Sequence, residues 1–130
     1  QPRYTLCLAD THVNPDPTAE EIAETTLLAA AAVRRFGIEP KVALVSHSSF
    51  GSSDHPSAQK MRDAFRLVQQ RAPDLEVEGE MKADTALSEE RRARVFPNSR
   101  LQGSANLLIM RAVPGRYVFD ALPGFTLLVM

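Results

Sequence analysis

The sequence predicts an α/β fold of three layers, a mainly parallel sheet with helices on both faces. Two observations carry this. Val42–Val45 is a continuous apolar run without alternation, the pattern of a central strand covered on both sides. Short apolar runs also alternate with helix-period stretches, in the order strand–helix–strand–helix–strand–helix–strand. That order requires a parallel sheet joined by right-handed crossovers.

Each element has a local reason. Tyr4–Ala9 is an apolar run ending at Asp10, read as a buried strand. Asn14-Pro15-Asp16-Pro17 marks a loop. Thr18 and Glu21 have capping-box spacing, and Glu20 and Glu21 suit the positive end of a helix. Ile22, Thr26, Ala29, Val33 and Phe36 then recur at helical spacing, Arg34 and Arg35 fall in the last turn, and Gly37 ends it. After the Val42–Val45 strand, residues 46–56 form a loop with five serines and one glycine. Ser57 is read as the cap of a second helix, with Met61, Ala64, Phe65, Val68 and Ala72 as its apolar stripe and Pro73 as its end. Leu75–Val77 is read as a short strand and Gly79–Thr85 as a loop. A short helix from Ser88 carries Glu89 and Glu90 first and Arg91, Arg92 and Arg94 later. Pro97–Gly103 is a turn and Asn106–Met110 another strand. Residues 111–130 follow as an atypical tail, a polar turn and then two apolar stretches, Tyr117–Leu122 and Phe125–Met130.

Composition narrows the function classes. The 130 residues, 44% hydrophobic, suit one domain with a modest core. A net charge of −1 gives no electrostatic reason for nucleic acid or an anionic membrane as partner. The single cysteine, Cys7, lies in an apolar run and reads as a small buried hydrophobe; with no second cysteine for a disulfide or zinc site, a reducing cytoplasm is expected. No apolar run reaches the length of a membrane span. Gln1-Pro2-Arg3 has neither an initiator Met nor a signal pattern, so the chain reads as a piece of a longer polypeptide.

In an open parallel sheet, ligands bind outside the carboxyl ends of the strands. Three segments are expected there, Asp10–Asn14, Ser46–Asp54 and Gly79–Asp84. The second is the most informative. Ser46, Ser48, Ser49, Ser52 and Ser53 can each donate a hydroxyl, and Gly51 lets the backbone approach a ligand closely. Exposed N–H groups in such a turn, followed by a helix, make an anion site; the competing reading is a serine-rich surface turn. His12, His47 and His55 lie in or beside these segments, but none pairs at metal-ligand spacing on a helix face, so no metal site is assigned. No glycine–Ser–glycine elbow exposes a nucleophile. Asp10, Glu80 and Asp84 are the acid–base candidates, against the alternative that they cap turns or pair with arginines. No Walker-type or dinucleotide fingerprint occurs.

Ordered motifs carry a resemblance. Residues 9–20 (Ala9-Asp10-Thr11-His12-Val13-Asn14-Pro15-Asp16-Pro17-Thr18-Ala19-Glu20) are similar to the segment opening the second half of phosphate acetyltransferases and phosphate butyryltransferases. Phe36–Ser46, Ser46-x-Ser48-Ser49-x-Gly51-Ser52, Pro73-Asp74-Leu75, Gly79-Glu80-x-x-x-Asp84-x-Ala86-Leu87 and Ala105–Met110 continue it. It covers about residues 4–110. Within that family, Ser46-His47-Ser48-Ser49-Phe50-Gly51-Ser52-Ser53 and Arg94-Val95-Phe96-Pro97-Asn98-Ser99 resemble the C-terminal domain of bacterial multidomain malic enzymes.

The resemblance implies a single, truncated transferase-like domain over 1–130. It implies a regulatory and oligomerisation role, with acetyl-CoA or an acyl phosphate as ligand. NADP and a divalent metal are implied only for the malate-oxidising half of the parent enzyme, and no cofactor for this chain. Ser46, Ser48, Ser49, Gly51, Ser52 and Ser53 are then expected to hold the phosphate or pantetheine arm, with Asp10, Asn14 and Asp84 at the pocket edge. No catalytic residue is assigned. Free-standing acetyltransferases usually carry Thr-Lys where this chain has Ser49-Phe50, and the family's catalytic Ser-Arg motif lies further toward the C-terminus, outside these residues. Two other readings stand beside this one, an active phosphate acetyltransferase and a purely structural oligomerisation module.

Overall fold

The computed structural model describes residues 4–10, 17–46, 56–110 and 125–129. Its centre is β2 (Lys41–Val45), whose Val42, Ala43 and Leu44 have no solvent exposure at all. Alternate side chains go to opposite faces of a strand. Val42 and Leu44 accordingly join one apolar cluster, while Ala43 and Val45 join another on the far side. The absence of alternation in the sequence reflects this double burial.

Around β2 stand β1 (Tyr4–Asp10), β3 (Glu76–Met81), β4 (Leu107–Met110) and β5 (Phe125–Val129). The sheet order is β3-β2-β4-β1-β5, and every pairing is parallel. β5, the second apolar stretch of the atypical tail, pairs with β1 from Tyr4↔Phe125 to Leu8↔Val129. Two long helices, α1 (Ala19–Arg35) and α2 (Pro56–Arg71), cover one face. The other face carries α3 (Ala83–Leu87), α4 (Glu89–Val95) and the segment containing Leu101 and Ala105. The expected three-layer α/β fold with a parallel sheet is therefore present. Among the described residues, no helix is long and apolar enough to cross a membrane.

Helix α1 follows its sequence closely. The Thr18 hydroxyl accepts from the Glu21 N–H at 3.1 Å, and the Glu21 carboxylate accepts from the Thr18 N–H at 3.3 Å, a complete capping box. At the other end Gly37 adopts φ +79°, its N–H donates to the Arg34 carbonyl, and Ile38 donates back to Val33. This Schellman closure explains one correction. Phe36, expected on the buried stripe, is 66% exposed, because the turn takes it out of helical phase. Ile22, Thr26, Ala29 and Val33 are buried as expected, and the buried Thr26 hydroxyl donates to the Ile22 carbonyl at 2.8 Å. α2 begins at Pro56, so Ser57 lies inside its first turn rather than capping it; proline suits a first helical position, where no N–H partner is needed.

The largest correction concerns β3. The sequence reading ended a strand at Val77 and made Gly79–Thr85 a loop. The strand instead runs to Met81, and 83–87 is helical. Two acidic residues and a glycine read as breakers, yet each is accommodated. Glu78 accepts from the Arg100 N–H at 2.8 Å and the Ser99 hydroxyl at 3.2 Å. Glu80 is paired below the sheet, as described in the next subsection. Gly79 lies so close to β2 that an added Cβ would sit 2.8 Å from Leu44 Cβ and 3.2 Å from the Leu44 carbonyl oxygen.

At the opposite edge, Asn106 joins two strands at their starts. Its side-chain oxygen accepts from the Lys41 N–H at 2.7 Å, its amide nitrogen donates to the Glu39 carbonyl, and its backbone N–H donates to Lys41. This motif residue is thus a structural tie at the end of the sheet remote from the carboxyl ends of the strands.

Gly79→Ala is expected to cost about 1–3 kcal/mol, because the contact is with the backbone and Cβ of a central strand and cannot relax through a side-chain rotamer. A urea midpoint lowered at constant m-value is the expected result, and an unchanged midpoint would mean that β2 and β3 separate freely.

Candidate functional site

Strand order and crossover hand locate a switch point at the carboxyl ends of the strands. β1→β2 and β2→β3 move in one direction across the sheet, and β3→β4 returns. Right-handed crossovers then place α1 and α2 on one face and α3 and α4 on the other, which is the arrangement of the two apolar clusters. The chain leaves β2 and its neighbour β3 on opposite faces. Their carboxyl ends, Val45-Ser46 and Met81-Lys82, flank a topological switch point, the usual place for a ligand.

Here β3 carries one extra residue. Leu44 pairs with Gly79 but Val45 pairs with Met81, so Glu80 is bulged. A bulge breaks alternation and re-aims a side chain. Glu80 is completely buried. One of its oxygens accepts from Arg62 Nη1 of α2 at 3.0 Å, and the other accepts from the Ser46 hydroxyl. Ser46 is held a second time, its N–H donating to the Met81 carbonyl at 2.9 Å. The first residue of the serine-rich segment is thus tied to β3 through both backbone and side chain.

Of the residues expected at the site, Ser46 is placed at this switch point. Asp10 closes β1 on the same edge, in register with Met110 at the end of β4. Asp84 lies in α3, just past the end of β3. One of its carboxylate oxygens accepts from the Thr85 N–H at 2.8 Å, and the other accepts from Arg91 Nη1 at 2.8 Å. Asp84 and Glu80, two of the acid–base candidates, therefore each carry an arginine partner, and Asp84 also accepts from an N–H in the first turn of α3. Asn14, Ser48, Ser49, Gly51, Ser52, Ser53 and the three histidines lie outside the described residues.

Two residues escaped the sequence reading. Arg62 is adjacent to the apolar stripe Met61, Ala64, Phe65, Val68 and is only one-fifth exposed; a charge beside a buried stripe was the available signal. Arg92, placed by the sequence only among the later charges of a short helix, is fully buried. Its guanidinium donates to the carbonyls of Thr85, Ala86, Leu101 and Gly103, fastening the segment before β4 to α3. Burial lowers its pKa below the usual arginine value, opposed by the charges of Glu89, Glu78 and Glu76.

Comparison with known proteins places this geometry in a family context. Residues 1–114 match the family model described as phosphate acetyl/butaryl transferase. The chain is 61% identical over 109 residues to the NADP-dependent malic enzyme of Escherichia coli, covering 84% of this chain and 14% of that protein. It is 55% identical over 126 residues to that of Haemophilus influenzae, covering 96% of this chain and 17% of that protein. With the phosphate acetyltransferase of Paracoccus denitrificans the identity is 44% over 129 residues, covering 95% and 41%. Among solved structures, a phosphotransacetylase from Streptococcus pyogenes superposes with a TM-score of 0.74 at 37% identity, over 78% of this chain and 31% of that one. The chain thus spans about one-sixth or less of the malic enzymes it matches.

Arg62→Leu removes the partner of a fully buried carboxylate. The expected cost is about 3–5 kcal/mol, the usual penalty for leaving one member of a buried pair alone. Chemical denaturation of Arg62→Leu beside Arg66→Leu provides the measurement. Arg66 pairs with Asp63 on an exposed surface, and its loss is expected to cost under about 1 kcal/mol; equal effects would contradict the burial argument.

Proposed function

The chain belongs to the phosphate acetyl/butaryl transferase family, and from that membership we propose that it serves as an acyl-CoA- or acyl-phosphate-binding regulatory module of a cytoplasmic, NADP-dependent malic enzyme, contributing also to homo-oligomerisation. The observation that carries this reading is the grading of its relatives. Malic enzymes are 55–61% identical to it over the aligned residues, whereas phosphate acetyltransferases are 36–44% identical. Oxidative decarboxylation of malate to pyruvate, with its NADP and divalent metal, belongs in this reading to the remainder of the parent enzyme.

The binding chemistry follows from residue type and place. Ser46 stands at the switch point. The hydroxyls of Ser48, Ser49, Ser52 and Ser53 and the backbone at Gly51 donate to phosphate oxygens, ahead of the N-terminus of α2. Asp10 and Asp84 stand at the same edge of the sheet, and Asn14 is the third residue assigned to the pocket in this reading. Phe50 replaces the lysine usual in free-standing acetyltransferases, which removes a charge-assisted bond to acetyl phosphate. The module therefore senses its ligand rather than transferring an acyl group.

The active-transferase reading is favoured by the structural match to a phosphotransacetylase. Two measurements on the intact protein separate the alternatives. Titration with acetyl-CoA is expected to give binding heat, together with a changed rate of malate oxidation; no heat and no thermal shift with any acyl-CoA would leave only an assembly role. Incubation with acetyl phosphate and CoA is expected to yield no acetyl-CoA, and turnover would overturn the regulatory assignment. Restoring the charge by Phe50→Lys is expected to tighten acetyl phosphate binding by about tenfold or more, since a hydrogen bond to a charged group contributes about 1.5–3 kcal/mol.

A further inference from the structure

We propose that Glu80 is a positioning residue that clamps both ends of the serine-rich binding segment, an inference that rests on the ligand-binding reading above. The segment leaves β2 at Ser46 and enters α2 at Pro56. Its entry is held by the Ser46 hydroxyl on one Glu80 oxygen, and the helix it leads into is held by Arg62 on the other. Glu80 belongs to neither end. It comes from β3, and only because the bulge between the Gly79 and Met81 pairings turns it out of the strand's alternation. One buried carboxylate therefore sets the separation that residues 47–55 must span.

An apolar side chain would occupy this place at lower cost, since desolvating a carboxylate can outweigh what a buried ion pair returns. What an apolar residue cannot do is accept from two elements at once. Fixing the ends of a binding segment before the ligand arrives removes ordering cost from binding itself. The Arg62 charge also offsets the carboxylate close to where an anionic ligand is to be held.

Glu80→Gln tests this. The amide keeps the shape but loses the charge and puts a donor NH2 where one acceptor oxygen stood, so the Arg62 ion pair is lost and Ser46 keeps its contact only by turning its hydroxyl to accept. In the intact protein, acetyl-CoA affinity measured by calorimetry is expected to fall about tenfold or more, because the ligand must then order the segment itself. Amide hydrogen exchange is expected to quicken in peptides covering 46–60 and to stay unchanged in peptides covering 101–110. Arg62→Lys, which keeps the charge, is expected to shift both readouts the same way but less; it decides the matter should Glu80→Gln fold poorly. An affinity within twofold of wild type, or exchange rising equally in both regions, would reduce Glu80 to a fold-stabilising role and overturn the clamp. Should the wild-type protein bind neither acetyl-CoA nor acetyl phosphate, the ligand reading fails, while the exchange pattern still decides whether Glu80 holds the two ends.

Discussion

The hand of the crossovers organises this molecule. With strands in the order β3-β2-β4-β1-β5 and all parallel, the two crossovers moving one way must pass over one face and the returning crossover over the other. That places α1 and α2 together and opposes them to α3 and α4. It also leaves β2 with two covered faces and two neighbours, which is why Val42, Ala43 and Leu44 are wholly buried. The same reversal makes the carboxyl ends of β2 and β3 a topological switch point. The core and the candidate site are thus consequences of one topological fact.

Burial on both faces makes every charge near the sheet expensive unless it is paired. Glu78, Glu80 and Arg92 meet this demand in different ways. Glu78 takes a hydroxyl and a backbone N–H from the turn at Ser99-Arg100. Arg92 gathers carbonyl oxygens from α3 and from the segment before β4. Glu80 links a strand end to a helix. Each charge joins pieces that secondary structure alone would leave unconnected, and each does so next to a break in regular structure. The exposed pairs, such as Arg94 with Glu90, sit in high dielectric and have no comparable organising role.

The family relationship and the geometry meet at Ser46. Its relatives include enzymes whose names denote acyl transfer and enzymes whose names denote malate oxidation. A shared scaffold does not by itself decide between them, because function resides in the site rather than the fold. The local features of this chain are a phenylalanine in a serine-rich segment and a buried carboxylate, Glu80, that accepts from Ser46 and Arg62.

Much of the fold was legible in the linear sequence because it rests on local rules. The capping box at Thr18, the glycine stop at Gly37 and the unalternating run Val42–Val45 each express a short-range requirement of backbone or burial. The serine-rich segment at the end of a buried strand was legible for the same reason. The length of β3, the helix at 83–87 and the exposure of Phe36 were not. A strand containing Glu78, Gly79 and Glu80 has poor local credentials, and it persists because Ser99, Arg100, Arg62 and Leu44, all distant in sequence, meet those residues. Sequence patterning alone determined the α/β class, the position of the central strand and the segment suited to an anion. Tertiary structure alone decided which charges are buried and what they hold, because the partner that makes a buried charge tolerable lies elsewhere in the chain.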